Sequence, residues 1–298
     1  MFPTDSVGDM SFKFNIMILI ADSGATKTDW CALDKKGAGK PIFFKSEAYN
    51  PNYIGGPDIV KSIGAAVPQN FPADEVEEID FYGAGVTELQ YGFMKECMVK
   101  VFPNAKVNMA MDLLGSARAL LQHEPGFAAI LGTGTNSCIY DGKKVTMNID
   151  SLGFILGDEG SGAYLGKRFI CDFIRGDMPK EACKIFQEYC PLNGDQLIDE
   201  IYTKPFPNRF CARFSKVISA NVKDGNYFYK LVYNAFVALF KNIISHYPDY
   251  MKYSFNCVGS VGYYYKNILQ KAADEYNMKL GNIIQAPMEG LIKFHSER

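Results

Sequence analysis

Apolar and polar positions fall into a repeating order along the chain. Ile16-Met-Ile-Leu-Ile-Ala21 is a continuous apolar run that ends in a polar glycine turn, as a buried strand does. Thr28-Asp-Trp-Cys-Ala-Leu-Asp34 reads as its hairpin partner, and Lys35-Lys-Gly37 turns into a third strand near Ile42 to Lys45. A helix after Pro57, a strand at Glu77 to Tyr82, a helix from Thr87 to about Val101 and a strand at Ala105 to Met111 follow. This alternation belongs to an α/β domain. Its last strand hands over to Asp112.

A second apolar strand, Phe127-Ala-Ala-Ile-Leu131, again meets a Gly/Thr turn, Gly132-Thr-Gly-Thr135, then a strand over Asn136 to Asp141 and a turn at Gly142-Lys-Lys144. The segments ADSGATKTDWCALDKKG and LGTGTNSCIYDGKKV share one order, and so predict a duplicated domain. From about Glu159 to His246 the pattern is mainly helical. Phe255 to Val258 is the last predicted strand, followed by Gly259-Ser-Val-Gly262, a helix, and a closing helical segment after Pro287. The expected division is an N-terminal domain over 16–113 and a larger C-terminal domain over 114–298, with the closing segment packing back on the first. Residues 1–15 lack the basic and apolar segments of a signal peptide and read as a disordered extension, with Met17 as an alternative start.

Composition narrows the chemistry. A length of 298 residues supplies two cores. The 31 basic and 33 acidic residues leave a formal charge of -2 with no run of like charge, which argues against a nucleic-acid or membrane surface and for a small soluble ligand. Eight cysteines stand singly, without a CxxC pair or a Cys/His cluster, as reduced thiols of a cytoplasmic protein do. The histidines His123, His246 and His295 lie in or near apolar helical stretches, where packing roles are expected.

The glycine turns carry the candidate chemistry. In Asp22-Ser-Gly-Ala-Thr-Lys-Thr28, backbone N–H groups, the Thr26 and Thr28 hydroxyls and the Lys27 ammonium suit phosphate, and Gly24 permits close approach. Asp22 suits magnesium held through water. An ordinary hairpin turn explains that loop equally well alone, but Gly132, Thr133, Gly134 and Thr135 repeat the device. Neither a Walker A loop nor a GxGxxG after a strand is present. Gly259 and Ser260 open a strand-to-helix turn that admits an adenosine or merely packs tightly. Asp112 is either a helix N-cap or a general base at a strand's carboxyl end. In Gly157-Asp-Glu-Gly-Ser-Gly162, Asp158 and Glu159 are expected at the mouth of a core formed by Leu152 to Leu156, as acceptors for sugar hydroxyls; a solvated turn is the alternative. Asn50 to Gly56 and Gly83 to Gly85 add amides and bare backbone, with Asn52 and Gly83 read as turn residues.

In order, DSGATKTDW, NPNYIGG, Asp112, LGTGTNS, GDEGSG and VGSVG resemble the phosphate-1, sugar, catalytic, phosphate-2, sugar and adenosine elements of one family. That family is the BadF/BadG/BcrA/BcrD-type ATPases and N-acetylglucosamine kinases, of the actin/hexokinase/Hsp70-like superfamily. The resemblance spans nearly all of the chain. It implies α/β architecture, with duplicated actin-like (ribonuclease H-like) ATPase domains flanking an interdomain cleft that takes ATP and Mg2+ across both Gly/Thr turns. It makes Asp112 the base, Asn50 and Asp158 sugar ligands, and Thr133 a residue near both sugar and phosphate. The implied substrate is an amino sugar, N-acetylglucosamine at its 6-hydroxyl, and the implied assembly is a homodimer. The family's Asn-His-Trp stands here as Asn50-Pro51-Asn52, which leaves the sugar open. Two other functions stay open: an ATPase that activates a partner enzyme and a non-catalytic sugar sensor. The activators hold an iron–sulfur cluster with cysteines that Gly157 to Gly166 lacks, and the zinc motif of ROK-type kinases is missing too.

Overall fold

The computed structural model describes residues 17–34, 40–49, 51 and 54–297. The expected extension over residues 1–15, the turn at 35–37, and Asn50 and Asn52 lie outside the described residues. The chain divides into two units, Met1–Ala110 with His295–Arg298, and Met111–Phe294.

In the first unit, β1 (Met17–Ser23), β2 (Lys27–Asp34), β3 (Ile42–Glu47), β4 (Val76–Gly83) and β5 (Lys106–Met111) form one sheet in the order β3-β2-β1-β4-β5. β1 runs antiparallel to β2, from Met17 opposite Asp34 to Ser23 opposite Thr28, and parallel to β4. It is buried on both faces, which is why its sequence is an unbroken apolar run. Met17, Leu19 and Ala21 share a core with Trp30, Phe81 and Phe102. Helices α1 (Gly56–Ala66) and α2 (Tyr91–Val99) cover that face through Ile59, Ile63, Met94 and Met98. α1 starts with Pro57 and Asp58 in its first turn, the residues that suit free N–H groups and the positive helix end. The helix expected over 87–101 is shorter, because a Thr87/Gln90 capping box closes a separate 3-10 turn before Tyr91. Asp80 and Tyr82 alternate with Phe81 and so face the other side. There buried His295 lies 2.9 Å from the Tyr82 hydroxyl and 3.3 Å from Asp80 Oδ2.

The second unit repeats the sheet. β6 (Gly126–Leu131), β7 (Thr135–Tyr140), β8 (Val145–Asn148), β9 (Ser254–Val258) and β10 (Lys279–Ile284) are ordered β10-β9-β6-β7-β8. Read from β8, this is the first sheet strand for strand, with β6 antiparallel to β7 and parallel to β9. β10 departs from the sequence reading, which ended its strands at Val258. Gly281 and Asn282 interrupt its apolar pattern, because Gly281 admits the Asn256 side chain, whose Oδ1 accepts the Asn282 N–H at 2.7 Å.

Eleven further helices among the described residues follow β5: α3 (Asp112–Leu121), α4 (Gly153–Leu156), α5 (Gly162–Arg175), α6 (Lys180–Tyr189), α7 (Gly194–Tyr202), α8 (Pro207–Ala212), α9 (Ser215–Asn221), α10 (Tyr227–Asn242), α11 (Ser260–Tyr264), α12 (Lys266–Glu275) and α13 (Met288–Ser296). Phe127, Ala129 and Leu131 face a large core with Phe169, Phe186 and Phe236, while Ala128 faces Leu113, Ala117 and Leu120 of α3. None of these helices is long and apolar enough to cross a membrane. The segment Leu152 to Leu156 corrects an expectation: Leu152, Ile155 and Leu156 are 60%, 83% and 75% exposed. Left-handed backbone at Leu152 (φ 59°) and Gly153 (φ 66°) goes with this outward turn of the three side chains, while Phe154 between them packs against the large core.

α5 is fixed at both ends, by the Ser161 hydroxyl accepting the Tyr164 N–H at 3.0 Å and by Gly176 at φ 76°. Its middle lies against α8, where a Cβ on Gly166 would stand 1.9 Å from the Cys211 carbonyl oxygen. Gly166→Ala must therefore push the backbones of α5 and α8 apart, and is expected to cost about 3 kcal/mol. A thermal melt followed by circular dichroism checks this; an unshifted midpoint would contradict the close approach.

Candidate functional site

In the second unit the site is built around the turn between β6 and β7. Gly132 N–H donates to Gly134 O at 3.1 Å and closes the turn. Gly162 N–H and Ala163 N–H, at the start of α5, donate to Gly132 O and Thr133 O at 2.8 and 3.0 Å. Thr135 is buried; its N–H donates to Asp158 Oδ1 at 3.1 Å and its hydroxyl to Glu159 O at 2.7 Å. Two glycine motifs separated in sequence thus form one body. Thr135 braces that body with its hydroxyl, so the half-buried Thr133 carries the hydroxyl that remains for a ligand. The N–H groups of Thr133 and Gly134 make no hydrogen bond among the described residues.

Asp158 is 7% exposed and adopts φ 58°, an uncommon conformation for a residue with a side chain. Its Oδ1 also accepts from the Ser151 hydroxyl at 3.2 Å. Burial raises its pKa, against the pull of these two hydrogen bonds and of Lys167. Oδ2 lies beside Gly134, where a Cβ would come within 3.1 Å of it, a tight contact that leaves little space on that side of the turn. Strain held in place by surrounding bonds is common where a side chain must be presented to a ligand.

Gly259 brings the third motif to the same turn. At φ 130° it lies so close that a Cβ would meet Leu131 O at 2.2 Å and Gly132 N at 3.0 Å. Exposed Ser260 then lines a cavity of about 400 Å³ with Ser215, Lys216, Ser219, Tyr264 and Tyr265. The space is of small-molecule size. Its α9 wall escaped the sequence reading, because folding alone brings Ser215, Lys216 and Ser219 there. The run Tyr263-Tyr-Tyr265 directly after Gly262 was the available signal.

Asp112 is the first residue of α3, with Met111 in the N-cap position. Its Oδ1 accepts the Leu113 N–H at 2.9 Å. Water still reaches some of the side chain, yet enough protein surrounds the carboxyl to push it up to about 6, with the Leu113 N–H pulling the other way. A carboxylate poised there takes a proton readily near neutral pH.

In the first unit the hairpin Asp22 to Thr28 is closed by Gly24 N–H donating to Lys27 O at 3.0 Å. Ala84, in the small turn after β4, donates its N–H to Ser23 O at 2.7 Å. Thr28 is buried, and its hydroxyl bonds Ser23 Oγ and Glu47 O, both at 2.8 Å. It therefore braces the hairpin, and Thr26 is the exposed threonine. Lys27 lies at the surface with its ammonium 2.5 Å from Asp29, which Lys45 also approaches at 3.7 Å. Asp22 sits opposite Asp29 on the paired strands, half-buried. Asp29 is held by Lys27 and Lys45, and a carboxylate such as Asp22 suits magnesium, which takes one or two carboxylates and keeps several waters. Of the sugar-side residues, Asn50 lies outside the described residues.

No family model and no curated protein matches the sequence. Solved structures do match. A candidate N-acetylglucosamine kinase from Porphyromonas gingivalis is 37% identical, over 95% of this chain and 99% of its own, with a TM-score of 0.88. A second candidate N-acetylglucosamine kinase, from Chromobacterium violaceum, is 16% identical over 94% of this chain and 99% of its own, with a TM-score of 0.72. A ROK family glucokinase from Streptomyces griseus, in complex with glucose and AMPPNP, is 13% identical over 94% of this chain and 98% of its own, with a TM-score of 0.54. The last two share the fold. With the duplicated sheet and the first of these likenesses together, the chain belongs to the N-acetylglucosamine kinase family of the actin/hexokinase/Hsp70-like superfamily.

Proposed function

We propose that the protein is an ATP-dependent kinase that phosphorylates a hexosamine, N-acetylglucosamine at its 6-hydroxyl, with Asp112 as general base. The observation that carries the reading is the turn Gly132–Thr135. It offers unsatisfied N–H groups between a buried carboxylate, Asp158, and the cavity beyond Gly259. Phosphate suits the N–H groups, sugar hydroxyls suit the carboxylate, and an adenosine suits a cavity of about 400 Å³ lined by Ser260 and Tyr264. The likeness to the Porphyromonas gingivalis protein supports the same substrates.

In this reaction the sugar hydroxyl loses its proton to Asp112 as its oxygen bonds the γ-phosphorus, and the bond from that phosphorus to the β-phosphate oxygen breaks to release ADP. Asp158 Oδ2 and the Thr133 hydroxyl orient the sugar, while Thr133 and Gly134 N–H groups meet the phosphate oxygens. Gly24, Thr26 and Lys27 of the first unit's hairpin form a second candidate phosphate-binding turn, in which Lys27 is paired with Asp29. Asp22 would hold magnesium through water, and the ion would supply neutralisation of phosphate charge. The eight cysteines are unpaired, and burial pushes Cys31, Cys138, Cys211 and Cys257 up to about 12. Such inert thiols suit a cytoplasmic enzyme.

Asp112→Asn is expected to lower kcat by about 10²–10⁴-fold with ATP and sugar binding nearly unchanged, since only the transition state needs the base. Coupled-assay kinetics with calorimetric binding would decide it; unchanged turnover excludes Asp112 as the base. In the parent, kcat/KM should fall as pH drops through about 6, where Asp112 gains its proton. The same raised pKa means that the folded state binds the proton more tightly than the unfolded chain. The charged carboxylate therefore costs stability above about 6, and below its ordinary carboxylate range it costs none. Asp112→Asn should accordingly raise the melting midpoint at pH above 6 and leave it unshifted in acid.

Asp158→Asn keeps the shape of the side chain but weakens acceptance of sugar hydroxyls. The KM for the sugar should rise about tenfold or more while the KM for ATP stays within about twofold. A rise in the ATP KM alone would move Asp158 out of the sugar site.

A further inference from the structure

A cavity of about 470 Å³ lies between α5 and α10, lined by none of the residues placed in the proposed kinase site. Tyr164, Arg168 and Asp172 stand at four-residue spacing along one face of α5, and Tyr227, Lys230 and Asn234 line it from α10. The Tyr227 hydroxyl donates to Asp172 Oδ2 at 2.7 Å. Burial and the neighbouring carboxylate both raise the Tyr227 pKa, so the phenol keeps its proton and this bond persists. Asp172 is the only acid in the lining and is engaged by that bond. Arg168 and Lys230 form no ion pair with any described residue, although each lies within reach of the same space. Two cations from different helices therefore face one concave space whose single carboxylate accepts from the Tyr227 hydroxyl and pairs with neither of them.

We infer that this cavity is a binding site for a small phosphate monoester that carries hydroxyl groups, of the sugar phosphate class. A guanidinium and an ammonium on opposite walls match a phosphate dianion, the first as a planar fork and the second as a point charge. The Tyr164 hydroxyl and the Asn234 amide supply partners for hydroxyls, and the volume is that of a small-molecule site. A bare anion would leave those partners and most of the space unused. The two walls also hold the loop that carries Asp158. Ser161 caps α5, Asn242 at the end of α10 donates to Glu159 Oε1 at 2.8 Å, and Gly160 packs on Leu239. A ligand joining Arg168 to Lys230 ties together the helices on which that loop is seated.

The test is titration calorimetry of the full chain, saturated with N-acetylglucosamine and AMPPNP so that the Gly132–Thr135 site is filled. The titrants are N-acetylglucosamine 6-phosphate and, separately, inorganic phosphate. One ester should bind per chain, with inorganic phosphate at least about tenfold weaker. Arg168→Ala and Lys230→Ala should each weaken the ester by about tenfold or more, and Asp158→Asn should leave it unchanged. Both cations are at the surface, and unshifted melting midpoints would show that the variants fold. No ester binding, or binding indifferent to both substitutions, overturns the site. Inorganic phosphate binding as tightly as the ester overturns its ligand class. A loss on Asp158→Asn would place the ester at the kinase site instead. Because occupancy is read directly, the result stands apart from whether the chain proves to phosphorylate a sugar.

Discussion

The bond from Thr135 N–H to the buried carboxylate of Asp158 organises the second unit. A carboxylate taken out of water is costly unless hydrogen-bonded, and Asp158 is compensated by this N–H and by the Ser151 hydroxyl. The Thr135 hydroxyl returns the connection through the Glu159 carbonyl, and α5 completes it with two N–H groups on the turn. Each partner comes from a different stretch of the chain, so the loop can hold φ 58° at Asp158 only while all of them are in place. Gly259 has no room for a side chain because it is pressed against this body, and Gly134 has little. What the bond leaves outward is a short row of N–H groups with an acid on one side and a cavity on the other.

The first unit shows the same economy with different residues. Thr28 takes the bracing role that Thr135 has in the second, through Ser23 and Glu47, and the exposed Lys27 and Thr26 lie at the tip. The equivalence of β3-β2-β1-β4-β5 and β8-β7-β6-β9-β10 makes this a shared inheritance of the hairpin. In both units the last threonine of the motif is structural. That distinction was invisible in the sequence, where all the hydroxyls of a turn look alike.

Much of the fold was legible because its strands are buried on two faces and read as unbroken apolar runs, as at β1 and β6. The duplication followed from two Gly/Thr turns and two Lys-rich turns in one order. β10 was missed because Gly281 and Asn282 serve Asn256, a partner distant in sequence. Leu152, Ile155 and Leu156 were misread because apolar character alone does not say which way a side chain turns; only Phe154 of that segment packs against the core. The loops proposed to bear the chemistry stand out in the sequence by glycine density, which marks close backbone approach. The α9 wall of the cavity, with Ser215 and Lys216, carries no such mark and is placed by packing alone.

Phosphoryl transfer to a sugar through this one assembled turn is tested most directly by ADP formation. ATP and magnesium would be supplied near neutral pH with N-acetylglucosamine varied from none to saturation. ADP should rise with the sugar in a one-to-one ratio with sugar phosphate, and stay near the uncatalysed level without it. ADP released equally fast in the absence of sugar, or none with any hexosamine, would contradict the account.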